Sequence, residues 1–203
     1  MKQLSWSQNI LAIGVCLLAT TWGSATQGQS LPSLLEQDNL KGWAVPKNNI
    51  WWEVEEGILK AKNDPKLKGS TLWTEKEYGD FILQLEFRMG EGKVDSGVFV
   101  RNKHDQIQIG ESGSLKRDMT CSPYISGKGY PVEAEGVADL LKPRDWNSMI
   151  VMAVGNHYSV WLNGQHVMQY KSDSASQRGP IGLQIHPNCE MTIDFREIRI
   201  GEL

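Results

Sequence analysis

From Phe81 to Arg88 the chain reads Phe-Ile-Leu-Gln-Leu-Glu-Phe-Arg, with Phe81, Leu83, Leu85 and Phe87 alternating against Gln84, Glu86 and Arg88. Successive side chains of a strand point to opposite faces, so this period of two describes a strand with one face in a core and one face out of it. The pattern recurs. Val98 and Val100 oppose Phe99 and Arg101, and Gln106-Ile107-Gln108-Ile109 alternates again. Tyr158 to Leu162 and Val167 to Tyr170 flank Asn163-Gly164, and both turn residues tolerate positive φ, which a tight hairpin requires. Glu56-Gly57 marks a second hairpin, and Ile181–Ile185 and Met191–Ile200 close the chain with β-branched residues. Many short strands with frequent turn signals predict an all-β sandwich or barrel. Short helices fit only near Leu31–Leu35 or Val137–Leu141.

One segment breaks the rhythm. Between Gly110 and Pro143 lie Gly113, Gly127, Gly129, Gly136, Pro123 and Pro131, with few strand formers. Long irregular segments in compact domains are usually functional or disordered. Because this one carries Lys116, Arg117, Asp118, Tyr124 and Tyr130, it is expected to lie across a binding face.

The amino terminus bounds the setting. Lys2 is the only charge before Glu36, and it precedes the apolar run Ile10–Ala19 and a small, polar exit. That order describes a secretory signal peptide over residues 1–25, with cleavage after Ala25, and export to the periplasm or the exterior. The run falls short of the ~20 apolar residues of a bilayer span, and no later segment predicts one. About 175 residues remain, enough for a single domain over 31–203. The formal charge of −3 becomes −4 once Lys2 is removed, and Lys and Arg are scattered, which argues against a nucleic-acid partner. Cys121 and Cys189 could form a disulfide, worth about 4 kcal/mol for so long a loop, or remain separate thiols.

No nucleophile elbow, phosphate loop, HExxH or paired-cysteine motif is present, so no cofactor is expected; no ligand spacing diagnoses a metal site, and metal dependence stays open at this point. The chemistry-bearing residues are polar positions in phase on strands: Gln84, Glu86, Arg88, Arg101, Gln106, Gln108, Gln184 and His186. If their strands are neighbours they line one polar sheet face, which is either solvated surface or a site. Gln, Arg and His suit directional bonding to hydroxyls. Six tryptophans follow the leader: Trp43, Trp51, Trp52, Trp73, Trp146 and Trp161. Aromatic faces suit the C–H faces of sugar rings. Trp146 and Trp161 read as packing residues, and Trp51 as the least constrained.

The motifs Gly42-Trp43, WWEVEEG, YGDFILQLEFR, DSGVFVR, IQIG, RDWNSMIV, WLNGQ, GPIGLQIH and DFREIRI run in order from about Leu34 to Leu203. Together they resemble the 3-keto-disaccharide hydrolase family, which is widespread in bacteria. The resemblance implies a concanavalin-like jelly-roll β-sandwich of two antiparallel sheets. It also implies action on a sugar oxidised to a ketone at its third ring carbon. A ketone acidifies the neighbouring C–H, so a base can remove that proton and the glycosidic oxygen can leave by elimination; adding water then gives net hydrolysis.

On that resemblance His186 is the expected base, since an imidazole ordinarily titrates near ~6.5. Glu86 is an acid or second base, and Arg101 or Lys116 would stabilise the enolate. Asp95, Ser96, Gln106, Gln108, Gln184 and Trp51 are the expected substrate contacts. The chain departs from the family pattern where members commonly read Asn-Ser-Gly, here Asp95-Ser96-Gly97, and where many carry a glutamate, here Gln106. An amide does not transfer a proton as a carboxylate does. Either Asp118 or Glu111 replaces it, or the protein is a non-catalytic carbohydrate-binding module.

Overall fold

The computed structural model describes residues 30–35 and 38–203; the signal-peptide reading of 1–25 lies outside them. Leu31–Leu203 form one compact unit built of two antiparallel sheets. The first has the order β1 (Trp43–Ala44), β4 (Ser70–Thr74), β12 (Ile181–Ile185), β6 (Asp95–Val100), β7 (Asp105–Gly110), β8 (Pro123–Ile125). The second runs β11 (Gln165–Lys171), β10 (His157–Leu162), β9 (Asn147–Val154), β5 (Phe81–Gly92), β13 (Met191–Glu202), β3 (Ile58–Lys62), β2 (Trp52–Glu55). This is an all-β, concanavalin-like jelly-roll sandwich.

The alternation read in the sequence builds the core. Phe81, Leu83, Leu85 and Phe87 of β5 are fully buried, as are Met149, Val151, Ile193 and Phe195 on the strands beside it. They pack against Leu72, Val98, Val100, Ile107, Ile109 and Leu183 of the six-stranded sheet. Asn163 and Gly164 both take positive φ (47° and 84°) in the β10–β11 turn, and Glu56-Gly57 does the same between β2 and β3 (51° and 74°). Cys121 and Cys189 are free thiols, the first buried and the second partly exposed, which decides between the two alternatives for them.

Between β7 and β9 the chain is less irregular than its sequence predicts. It forms β8 and one short helix, α1 (Val137–Leu140). Leu31–Leu35 is not helical; Ser33 there bridges Arg199 of β13. Among the described residues no helix is long and apolar enough to cross a membrane.

The expectation of a single polar face is corrected. Gln84, Glu86 and Arg88 belong to β5 of the seven-stranded sheet, whereas Gln106, Gln108 and Gln184 belong to β7 and β12 of the other. Both sets point away from the core, so they occupy opposite outer faces of the sandwich.

Candidate functional site

The outer face of the six-stranded sheet is not simply solvated. Every residue of β6 and β7 is buried, on both faces, because the segment after β7 folds back across them. Between sheet and segment lies a cleft of about 620 Å³, lined by Asp95, Gln106, Gln108, Tyr124 and Gln184 from the sheet, by His186 just after β12, and by Ser112, Gly113, Lys116 and Tyr130 from the covering chain.

The register explains the grouping. Gly97 of β6 sits opposite Gln108 of β7 on one side and Gln184 of β12 on the other. A Cβ at position 97 would lie 2.2 Å from Gln106 Nε2 and 2.6 Å from the Ile107 carbonyl oxygen, so only glycine leaves room for the glutamine. Gln106 Nε2 donates to Gln184 Oε1 (2.7 Å). This bond leaves Gln106 Oε1 as an acceptor and Gln184 Nε2 as a donor for a ligand.

Asp95 is 6% exposed and accepts from Gln108 Nε2 (2.9 Å) and the Gly113 amide (3.0 Å), which ties the covering segment to the sheet. His186 follows β12 directly, its amide donating to the Asp95 carbonyl (3.1 Å). Its Nδ1 is 2.8 Å from the Pro187 carbonyl oxygen and 3.8 Å from Asp95 Oδ2. A carbonyl can only accept, so Nδ1 is the donor of this bond, and in the neutral imidazole Nε2 then holds the lone pair. The imidazole side chain is 42% exposed on the cleft wall.

Lys103 and Lys116 add positive charge to a lining whose one carboxylate is Asp95, and Lys93, also in the lining, is paired with Glu111. The aromatic lining comes from Phe99, stacked on Trp73 at 5.3 Å, and from Tyr124 and Tyr130, packed edge to face at 5.3 Å. Burial pushes the Tyr130 hydroxyl up to about 12, so it stays a neutral donor. Among the described residues no group of three His, Cys, Asp or Glu side chains is placed to hold a metal ion.

The remaining sequence candidates fall outside this cleft. Glu86 stands on the outer face of the seven-stranded sheet, accepting from Arg196 Nε (2.6 Å). The Trp146 ring nearby lies under the Arg88 and Arg196 guanidinium groups, 4.6 and 4.1 Å from its centroid. Arg101 follows β6 with φ 59°, and its side chain is fully buried, donating to the Gly79 and Gly155 carbonyls. Ser96 has the opposite parity to Asp95; it is fully buried and its hydroxyl donates to the Gln184 carbonyl (2.6 Å). Asp118 is exposed and accepts from the Thr120 hydroxyl, while Glu111 pairs with Lys93. Trp51 lines a separate groove. Sequence reasoning did not single out Lys93, Lys103 or Phe99 as site residues; only Phe99 carried a signal, its parity with Asp95.

Two antiparallel sheets with a polar, aromatic-edged cleft across one outer face define a jelly-roll protein of the concanavalin-like class. Within that class, the chain belongs to the family of the 3-keto-alpha-glucoside-1,2-lyase-like domain, whose profile matches residues 32–201. Among solved structures it is similar to a proposed glycosyl hydrolase of Parabacteroides distasonis, with 26% identity and a TM-score of 0.62 over 81% of this chain and 95% of that one. A second such protein of the same organism matches at 17% identity and a TM-score of 0.64, covering 86% and 94%. A carbohydrate-binding module of Bacillus subtilis shares the fold at 13% identity and a TM-score of 0.52, covering 79% and 96%. No curated protein matches the chain.

Proposed function

We propose that this is an exported, carbohydrate-active enzyme that cleaves the glycosidic bond of a 3-keto-glycoside by elimination. His186 Nε2 removes the proton at C2, next to the ketone. The electron pair passes through the enolate and expels the glycosidic oxygen from C1, leaving a C1–C2 double bond; the departing oxygen takes up a proton. Water added across that double bond makes the net reaction a hydrolysis.

The observation that carries this reading is the 2.8 Å contact of His186 Nδ1 with the Pro187 carbonyl oxygen: in a neutral imidazole it makes Nδ1 the donor and leaves Nε2, on a side chain that lines the cleft, as the proton acceptor. The family match supplies the reaction class. In this reading Lys116, on the covering segment, supplies charge for the enolate, and Gln106, Gln108 and Gln184, which line the same cleft, bond the hydroxyls. Export rests on the leader-like residues 1–25.

A second reading, a carbohydrate-binding module without catalysis, is favoured by the amide pair Gln106–Gln184, which binds but moves no proton. Incubating the protein with a 3-keto-disaccharide separates the two. Release of the leaving sugar is expected. Binding of the unoxidised disaccharide without any turnover of the oxidised one would replace the first reading with the second.

A further inference from the structure

On the other sheet, away from the cleft, the loop before β2 and the strands β2, β3 and β13 enclose a groove of about 440 Å³. We infer that this groove, centred on Trp51, is an accessory binding site for a neutral oligosaccharide. Three observations carry the inference.

The first is the ring itself. Trp51 is partly exposed beside Ile50, which is 53% exposed, yet its indole is not free to turn: Nε1 donates to the Lys68 carbonyl (3.0 Å) and its backbone amide to Asn49 Oδ1 (3.2 Å). A fixed, accessible aromatic face presents area to the C–H face of a sugar ring without ordering on binding. The second is charge. The groove floor carries Glu53, Asp194, Lys60 and Lys62, two of each sign, in register across β2, β3 and β13; Lys60 pairs with Glu55 and Asp194 with Arg88 (2.7 Å), which keeps the charges in balance. A balanced polar floor offers donors and acceptors to hydroxyls but no net field for an anion or a cation. The third is position. The loop that holds Trp51 through Lys68 also meets the wall of the cleft: Asn188 donates to the Leu67 carbonyl (2.7 Å), and a Cβ at Gly69 would lie 2.6 Å from the Pro187 nitrogen. Groove and cleft open on opposite outer faces of the sandwich, and the loop that fixes Trp51 is itself anchored to the chain that follows β12.

This site is independent of catalysis, and unoxidised saccharides test it. Calorimetric titration with linear α-1,4- and β-1,4-linked glucose hexasaccharides should show binding in which Trp51→Ala loses at least ~10-fold, about 1.4 kcal/mol. Trp51→Phe should retain most of the affinity, and Gln184→Ala, a cleft variant, should retain the groove component. Binding lost in Gln184→Ala but intact in Trp51→Ala would overturn the inference, as would no binding of either probe at millimolar concentration. Tighter binding of polygalacturonate than of either glucan would overturn the neutral ligand class. Should Trp51→Ala fail to fold, the indole N–H resonance of Trp51, assigned with Trp51→Phe, replaces it; a resonance unmoved by saturating hexasaccharide overturns the site.

Discussion

Asp105 opens β7 with no exposed surface, and its carboxylate accepts from three hydroxyls: Tyr158 (2.8 Å), Ser172 (2.5 Å) and Ser174 (2.6 Å). These donors come from β10 and from the chain after β11, so one side chain joins the two sheets at this end of the sandwich. The buried Arg101 guanidinium stands 5.9 Å from the Tyr158 ring and 3.4 Å from the Asp80 carboxylate. Hydrogen bonds to a charged group contribute about 1.5–3 kcal/mol each. Asp105→Ala removes three at once, but the hydroxyls rotate and part of the space hydrates, so the expected loss is about 3–5 kcal/mol, the range for removing one partner of a buried charged arrangement. In a domain of this size that lowers Tm by roughly 6–20 °C. Asp105→Asn keeps one acceptor oxygen and should lose about half as much, and Tyr158→Phe only about 1–2 kcal/mol. Urea unfolding with an unchanged m-value reads these differences directly. A loss below about 1 kcal/mol for Asp105→Ala would refute the claim that this cluster clamps the sheets.

Gly97→Ala should destabilise by about 1–3 kcal/mol, because the new Cβ meets a backbone carbonyl that cannot step aside; chemical denaturation checks it, and a neutral result would mean β6 and β7 yield easily. In a thiol-labelling time course at neutral pH, Cys189 should react before unfolding and Cys121 only with it, since Cys121 is fully buried and burial drives its pKa up. Equal rates for both would contradict the packing around Cys121. Burial also raises Tyr158 and Tyr130. With folded-state values above the unfolded ones, the stability these groups contribute is complete below the ordinary thiol and phenol range, about 8.5–10, and is lost as pH climbs through the raised values. Unfolding free energy should therefore fall steadily above about pH 9. Replacing Cys121 by Ala should flatten the first part of that fall, and an unchanged profile in that variant would remove the thiol from it.

The sequence carried the strands because a period of two is a local signal. Phe81 to Phe87 announced which side chains enter the core, and Asn163-Gly164 announced a turn, without any knowledge of partners. What a local signal lacks is sheet membership. Glu86 and Gln108 read alike as outward polar residues, yet β5 and β7 lie in different sheets and their outer faces look in opposite directions. Arg101 was misleading for a related reason: it continues the parity of β6, but its positive φ turns the chain and sends the side chain inward. Asp95 and His186 come together through one β6–β12 pairing of residues 91 positions apart, and no spacing in the sequence encodes that contact. The covering segment was legible as an interruption of the strand rhythm, while its contacts with Asp95 through Gly113 were not.

The central claim, proton abstraction at C2 by His186, is tested most directly by a 3-keto-disaccharide carrying deuterium at C2. Elimination requires that deuterium to leave for solvent in every turnover, whether or not water adds afterwards. The account predicts complete loss of the label from the product, matched to the rate of bond cleavage. It also predicts a fall of at least ~100-fold in both rates for His186→Ala, the lower range for removal of a general base. Cleavage that leaves deuterium at C2, or proceeds undiminished in His186→Ala, would contradict it.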